Sequence, residues 1–424
     1  MPPGPSSAEG PVAAAALPSL RRRITAVLIG TQILGGLGVA IGIALASVLA
    51  QQVSGTEALS GLAPTSMVAG TALLSMPLAA LMTARGRRPG LVLAYVIGAA
   101  GAGVVVLAAV AGSFPLLLVG MAAFGAGSSA NLQARFAAAD LAEPAHRGRA
   151  ISTVVWATTI GAVLGPNIAA PAGRSVTGLG VPAAAGPFLW AAGVFLVSAV
   201  MVALLLRPDP LLTARALAAG TEEDAQAGRG RSLKAGIRAV RESPRARLAL
   251  VTVTASHTTM VSIMSMTPVA LSHHGAGIEL IGLVISGHIA GMYAFSPVMG
   301  WLSDKLGRLS VIGLAVGLLS CAALLAGTAG GSHVRTAAGL FLLGLGWSAG
   351  LVSGSALLTD SVPQAARAAV QGLSDLTMNT AAGIGGAAAG LIVAGAGYGW
   401  LNAVGACLLL PLAVLALRSP SKGR

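Results

Sequence analysis

Residues 300–308 read GWLSDKLGR, and residues 79–87 read AALMTARGR. Aligned on Gly307 and Gly86, the two stretches share a small residue at the start, a closing Gly-Arg pair and a displacement of 221 positions. Asp140 with Arg147 is echoed by Asp360 with Arg367, displaced by 220 positions, and each pair flanks a proline, Pro144 or Pro363. Two unrelated landmarks sharing one displacement argue for an internal duplication. Parallel repeats with a binding site between them are a secondary-transporter arrangement.

The 424 residues are 55% hydrophobic and 9% charged, with 58 glycines. A soluble domain carries roughly 25% charged residues, so this surface is expected to lie in lipid. Apolar runs of about 20 residues, long enough to cross a hydrocarbon core about 30 Å thick, recur throughout. Twelve spans are expected, at about 24–50, 64–84, 89–112, 114–139, 150–172 and 186–206, then 248–271, 280–302, 309–330, 336–359, 369–394 and 399–417. The fold class is therefore an all-α membrane protein with two pseudo-symmetric six-helix bundles. Residues 1–20 are expected to form an irregular tail, 21–206 the first bundle, 207–247 a linker with a surface-lying amphipathic helix, 248–418 the second bundle and 419–424 a short tail.

A formal charge of +13 invites a nucleic-acid partner, but the positions of the cations argue otherwise. Only Arg174 and Arg335 of the 26 Lys and Arg are assigned to outward loops; the other 24 are assigned to the inward side or helix ends. That bias places both termini in the cytoplasm, in an inner (plasma) membrane. Cys321 and Cys407 lie far apart in apolar spans, which disfavours a disulfide or a zinc site. There is no Walker A sequence and no hydrolase or redox motif, so the chain is not expected to be an enzyme. Partners are lipid and a small solute or ion, and the chain is expected to work as a monomer without a bound cofactor.

Residues 260–292 carry the sharpest chemistry. Met260/Met264 and His288/Met292 are two pairs at i,i+4, a spacing that puts both side chains on one helix face. Thioether sulfur and imidazole nitrogen suit a Cu(I)-type ion better than carboxylate oxygen does. Methionine is also an ordinary apolar filler. Depth separates the two meanings. At 1.5 Å per residue the antiparallel pairs meet at roughly 11 and 17 Å below the outer surface. His257 extends the stripe, and His273 and His274 mark the outer mouth as a candidate metal relay. Asp375, a carboxylate in the eleventh span, is a candidate for proton coupling. Gln32 and Asn131 are further polar residues placed to line a cavity.

The chain resembles the major facilitator superfamily over nearly its whole length. Gly300, Asp304, Lys305, Gly307 and Arg308 match that superfamily's inward-loop signature; the first-half copy keeps Gly86 and Arg87 but has Thr83 in place of the acid. The resemblance implies an inward gate latched by Asp304 and lacking the corresponding first-half carboxylate. Gly161, Gly165 and Pro166 resemble the fifth-helix motif common among proton-linked exporters, or serve as a kink with close helix packing.

MxxxM in the seventh helix with HxxxM in the eighth is similar to the CcoA-like copper importers of the superfamily. That resemblance implies metal binding by Met260, Met264, His288 and Met292, with copper as substrate. Thr252 and Ser256 stand where some relatives place thiols. The alternatives are proton-coupled export of small drug-like compounds and import of a vitamin-like solute, riboflavin being carried by neighbouring branches. A non-transporting receptor is the reading from a different class.

Overall fold

The computed structural model describes residues 9–56, 59, 62–218, 233–276 and 278–412. Among these the chain is helical. The first half comprises α1 (Glu9–Ser54), α2 (Leu62–Arg85), α3 (Arg87–Ala111), α4 (Phe114–Asp140), α5 (Arg147–Ser175) and α6 (Gly186–Leu205). Two short helices, α7 (Pro210–Ala218) and α8 (Leu233–Glu242), form the connection. The second half comprises α9 (Pro244–His273), α10 (Ile278–Ile289) continuing through a π turn into α11 (Ser296–Leu306), α12 (Arg308–Gly327), α13 (His333–Asp360), α14 (Arg367–Ala396) and α15 (Tyr398–Cys407).

Ten helices are long and apolar enough to cross a membrane, α10 and α11 counting as one from Leu283. The two remaining crossings fall short for local reasons. Within α5 the apolar stretch is diluted by Arg147, Arg149, Asn167 and Arg174, and the last apolar helix, Tyr398–Leu412, is short. The architecture is thus the twelve-helix one that the duplication implied.

Helix ends follow the repeat. The α2–α3 and α11–α12 turns each hinge on one glycine, Gly86 at φ 93° and Gly307 at φ 88°. That left-handed region favours glycine because no Cβ collides with the following carbonyl, which explains why both copies keep it. Inside each half, helices approach closely: a Cβ on Gly70 would lie 1.9 Å from the Ala122 carbonyl oxygen, so α2 and α4 touch backbone to backbone. The first-half core is aromatic, with Phe124 packed on Phe188 and Phe195 at ring-centroid distances of 5.5 and 5.3 Å.

Two expectations change. Glu9 already begins α1, so part of the expected irregular tail is helical; residues 1–8 and 419–424 lie outside the described set. The amphipathic connector α8 does not merely lie on a surface. Its Val240 and Ile237 join a buried cluster with Leu357 and Val370 of the second half, which leaves its basic side outward.

Candidate functional site

Every acid of the repeated landmarks finds an arginine at one end of the bundle. Asp140 accepts from Arg87 through Nε at 2.7 Å and Nη2 at 3.2 Å, and its counterpart Asp360 accepts from Arg308 Nε at 3.2 Å. Contacts between the halves gather at the same end. The Asp304 carboxylate accepts from the backbone amides of Gly148 and Arg149, both at 2.9 Å, and from Arg308 Nη1 at 2.9 Å. Those amides form the first turn of α5, where helix termini favour negative charge. Arg147 bonds Asp360, Arg308 bonds the Pro144 carbonyl, and Arg87 reaches Gln371 on α14. Gly148 and Gly300 let α5 and α11 meet: a Cβ on Gly300 would strike Ser152 Oγ at 2.0 Å. Lys305 stays outside the latch, with its ammonium 4.6 Å from the centre of the Trp301 ring.

The first-half copy closes differently. Thr83 donates to the Ala79 carbonyl of its own helix at 2.8 Å. An acid comes instead from the connector. Asp209 accepts the Arg88 amide at 2.7 Å on one oxygen, and those of Leu211 and Leu212 at 3.0 and 3.2 Å on the other. Arg215, further along α7, donates to the Thr83 carbonyl at 2.9 Å. Neither residue belongs to the repeat, and no sequence signal marked them.

Inward from this latch lies a cavity of about 520 Å³ lined by both halves. The second half supplies Met260, Met264, Met292 and Met378 with His257, Tyr293 and Trp347. Trp347 Nε1 donates to His257 Nδ1 at 2.8 Å, which leaves the imidazole proton on Nε2. Tyr293 stands edge-on to Trp347, with centroids 5.5 Å apart. The first half supplies a polar wall from Gln32 on α1 and Ser128, Asn131 and Arg135 on α4. Gln32 Nε2 donates to Thr158 at 2.7 Å, and Asn131 Oδ1 accepts from Tyr95 at 3.0 Å. Gln32 Oε1, Ser128 Oγ and Arg135 Nε are buried without a partner. Leaving such groups unmet costs about 1–3 kcal/mol each.

Of the sequence-derived metal quartet, the three methionines reach the cavity and His288 is not among its lining residues. The His288 ring is buried, with Nδ1 donating to the Leu340 carbonyl of α13 at 2.8 Å, so the unpartnered Nε2 keeps its lone pair. Immediately after it, Ala290–Ala294 form the π turn. A π turn is wider than the 3.6-residue α-turn that the pairing of His288 with Met292 assumed. His273 and His274 are exposed at the other end of α9 from the latch, the His274 carbonyl lying 3.2 Å from His333 Nε2. Thr252 and Ser256 are buried and do not line the cavity. Gly161 and Gly165 serve packing: a Cβ on either would meet α1 at 2.4 Å, against Leu37 N and Ala40 Cβ respectively.

Asp375 is not free. It is buried and accepts from Arg135 Nη2 at 2.7 Å and Gln133 Nε2 at 2.8 Å, both on α4 of the other half. Arg135 corrects the sorting of cations: it lies inside a span and forms a buried ion pair there. The rule that flagged Asp375, that ionisable groups in the membrane mark function, applies equally to Arg135.

A family model described as Major Facilitator Superfamily matches residues 27–275 and again, overlapping, 248–424. The uncharacterized MFS-type transporters YdeG and YddS of Bacillus subtilis are 38% and 36% identical, over 93% of this chain and 92% and 90% of theirs. The riboflavin transporter RfnT of Brucella anthropi is 30% identical, over 95% of this chain and 97% of its own. Among solved structures, the transporter FucP in its outward conformation superposes with a TM-score of 0.74 at 16% identity, covering 94% of this chain and 99% of FucP. The proton:xylose symporter XylE gives 0.71 at 16% identity, with 94% and 95% covered. With two repeated halves around one central cavity, the chain belongs to the Major Facilitator Superfamily and is a multi-pass membrane transporter, not an enzyme.

Proposed function

We propose that the chain moves a planar, vitamin-sized organic solute through the central cavity by alternating access. One observation carries this: the cavity of about 520 Å³ has two unlike walls. Methionine sulfur with the rings of Trp347 and Tyr293 favours a flat aromatic ring, because thioethers adapt to and attract aromatic surfaces. Gln32, Asn131 and Arg135 offer donors and acceptors to such a ring's polar edge. The volume lies within the roughly 300–1,000 Å³ usual for organic ligands, and RfnT lends the idea support by analogy. By the distribution of Lys and Arg, both termini and the latched end face the cytoplasm in a plasma membrane. Asp375, the buried interfacial carboxylate, is the group proposed to couple transport to protons. The glycines of α5 leave export of drug-like compounds as the reverse direction of the same cycle.

Copper import is the second reading. It is favoured by His288 Nε2, a buried lone pair fixed by the Leu340 hydrogen bond, with Met260, Met264 and Met292 on the cavity wall. Against it stands the guanidinium of Arg135, which lines the same space. Uptake of riboflavin and of Cu(I) into proteoliposomes, by the parent and by Met260→Leu/Met264→Leu, separates the two. Leucine is nearly isosteric with methionine, so the fold survives. Saturable riboflavin uptake, with copper flux at the level of empty liposomes in both proteins, is the expected result. Copper uptake present in the parent and lost in the double variant would reverse the order.

A further inference from the structure

Arg135 is the one residue with a formal charge among the described residues lining the cavity. Ser128, Asn131, Leu132 and Arg135 share a face of α4 by their spacing of three and four, and all four reach the cavity. A guanidinium taken out of water needs a counter-charge, and Asp375 supplies it from α14, outside the cavity lining. The pairing is incomplete. Nη2 meets Asp375 Oδ1 at 2.7 Å, while the second carboxylate oxygen goes to Gln133 and Arg135 Nε finds nothing. A guanidinium holds a carboxylate best through two parallel N–H bonds. Here the Nε side of the fork makes no hydrogen bond, the face of the guanidinium lying 4.5 Å from the centre of the Phe136 ring, and an apolar residue at this position of α4 would have avoided the burial altogether.

We propose that Arg135 is the solute-binding cation, accepting a carboxylate or equivalent anionic group on the planar solute in exchange for Asp375. This rests on the cavity being the solute site, and it adds organic anions with an aromatic body to the neutral planar solutes, riboflavin among them, that the same cavity takes. The exchange has a consequence for charge. Once Arg135 turns to the solute, Asp375 keeps Gln133 as its hydrogen-bond donor, with Arg87 behind Gln133 on α3. The titratable group facing Arg135 from α9 is His257, which lines the same cavity with its Nδ1 held by Trp347. A buried carboxylate stripped of its cation takes a proton, so each bound anion brings about one proton with it.

The matched probes 2-naphthoate and 2-naphthamide differ in charge and little in shape, and quenching of tryptophan fluorescence in detergent at neutral pH reads both, because Trp347 lines the cavity. The parent is expected to bind the naphthoate about tenfold or more tightly than the amide, the scale of one charge-assisted bidentate pair. Arg135→Gln/Asp375→Asn removes both charges together and strands neither. In it the preference falls to about unity. Arg135→Lys keeps the charge without the fork and retains a preference of about threefold or less; it carries the test if the double variant fails to fold. A pH-indicating dye registers about one proton taken up per naphthoate by the parent and none by the double variant. Equal affinity of the parent for both probes, or a preference that survives in both variants, overturns the assignment of Arg135 while leaving a planar-solute cavity. Failure of a folded parent to bind either probe sinks the cavity reading as well.

Discussion

Replacing Asp304 by asparagine tests how the latch works. The Asp304 side chain is 2% exposed and accepts three hydrogen bonds, two from backbone amides across the interface and one from Arg308. A bond to a charged group contributes about 1.5–3 kcal/mol and a neutral one about 0.5–1.5 kcal/mol. Asparagine keeps one acceptor oxygen for the two amides of Gly148 and Arg149 and turns an NH₂ group toward donors. It also forfeits the attraction of the α5 N-terminus for negative charge, worth about 0.3–2 kcal/mol. The latched state should lose about 3 kcal/mol, roughly a hundredfold in its equilibrium with the unlatched state. Thr83→Ala removes one neutral bond to Ala79 in the same helix, so both states lose it equally and the equilibrium should not move. Electron spin–spin distances between labels at Ala145 and Lys305, exposed residues on opposite halves of the latched end, read the populations directly. The exposed Cys321 and Cys407 are replaced first. Equal shifts from the two substitutions would refute the reasoning.

Gly70→Ala should lower the melting temperature sharply, because its Cβ meets the Ala122 carbonyl at 1.9 Å and backbone cannot swing aside, a penalty of about 1–3 kcal/mol or more. Gly103→Ala, with nothing within 4 Å, should leave the melt unchanged or raise it by up to about 1 kcal/mol equivalent. Asp209→Ala should destabilise by about 2 kcal/mol through loss of the α7 cap and the Arg88 contact, whereas Asp209→Asn, itself a good cap, should recover most of it in the same melt.

The parts of this molecule legible in sequence are those whose cause is local or repeated. Gly86 and Gly307 mark turns because of their own backbone angles, and the duplicated Asp and Arg residues find each other because duplication copies a contact along with its residues. Helical spacing brought Met260 and Met264 to the cavity together. The same rule did not carry His288, since the π turn beginning at Ala290 changes the register on which an i,i+4 pair depends. Arg135 was hidden by proximity to a helix end: α4 stops at Asp140, close enough for the charge to pass as a terminal one. What turns it into a site residue is Asp375, 240 positions away, and no periodicity within one helix reports such a partner. Asp209 is a similar case, an acid recruited from the connector to a turn that the duplicated motif left without one.

That recruitment makes the two halves mechanically unequal. The α11–α12 turn is fastened to the opposite half through Asp304, a clasp that the proposed alternating access requires to open each time the solute changes sides. The α2–α3 turn reaches the second half through Arg87 and Gln371 but is also splinted by Asp209 and Arg215 of the connector, so part of its bracing stays with it. A chain cut between Ala218 and Leu233 leaves that splint on the first fragment, and two co-expressed pieces should reassemble into a working transporter. A cut just before Pro208 hands the splint to the wrong piece, and the first fragment then starts life with its turn unbraced.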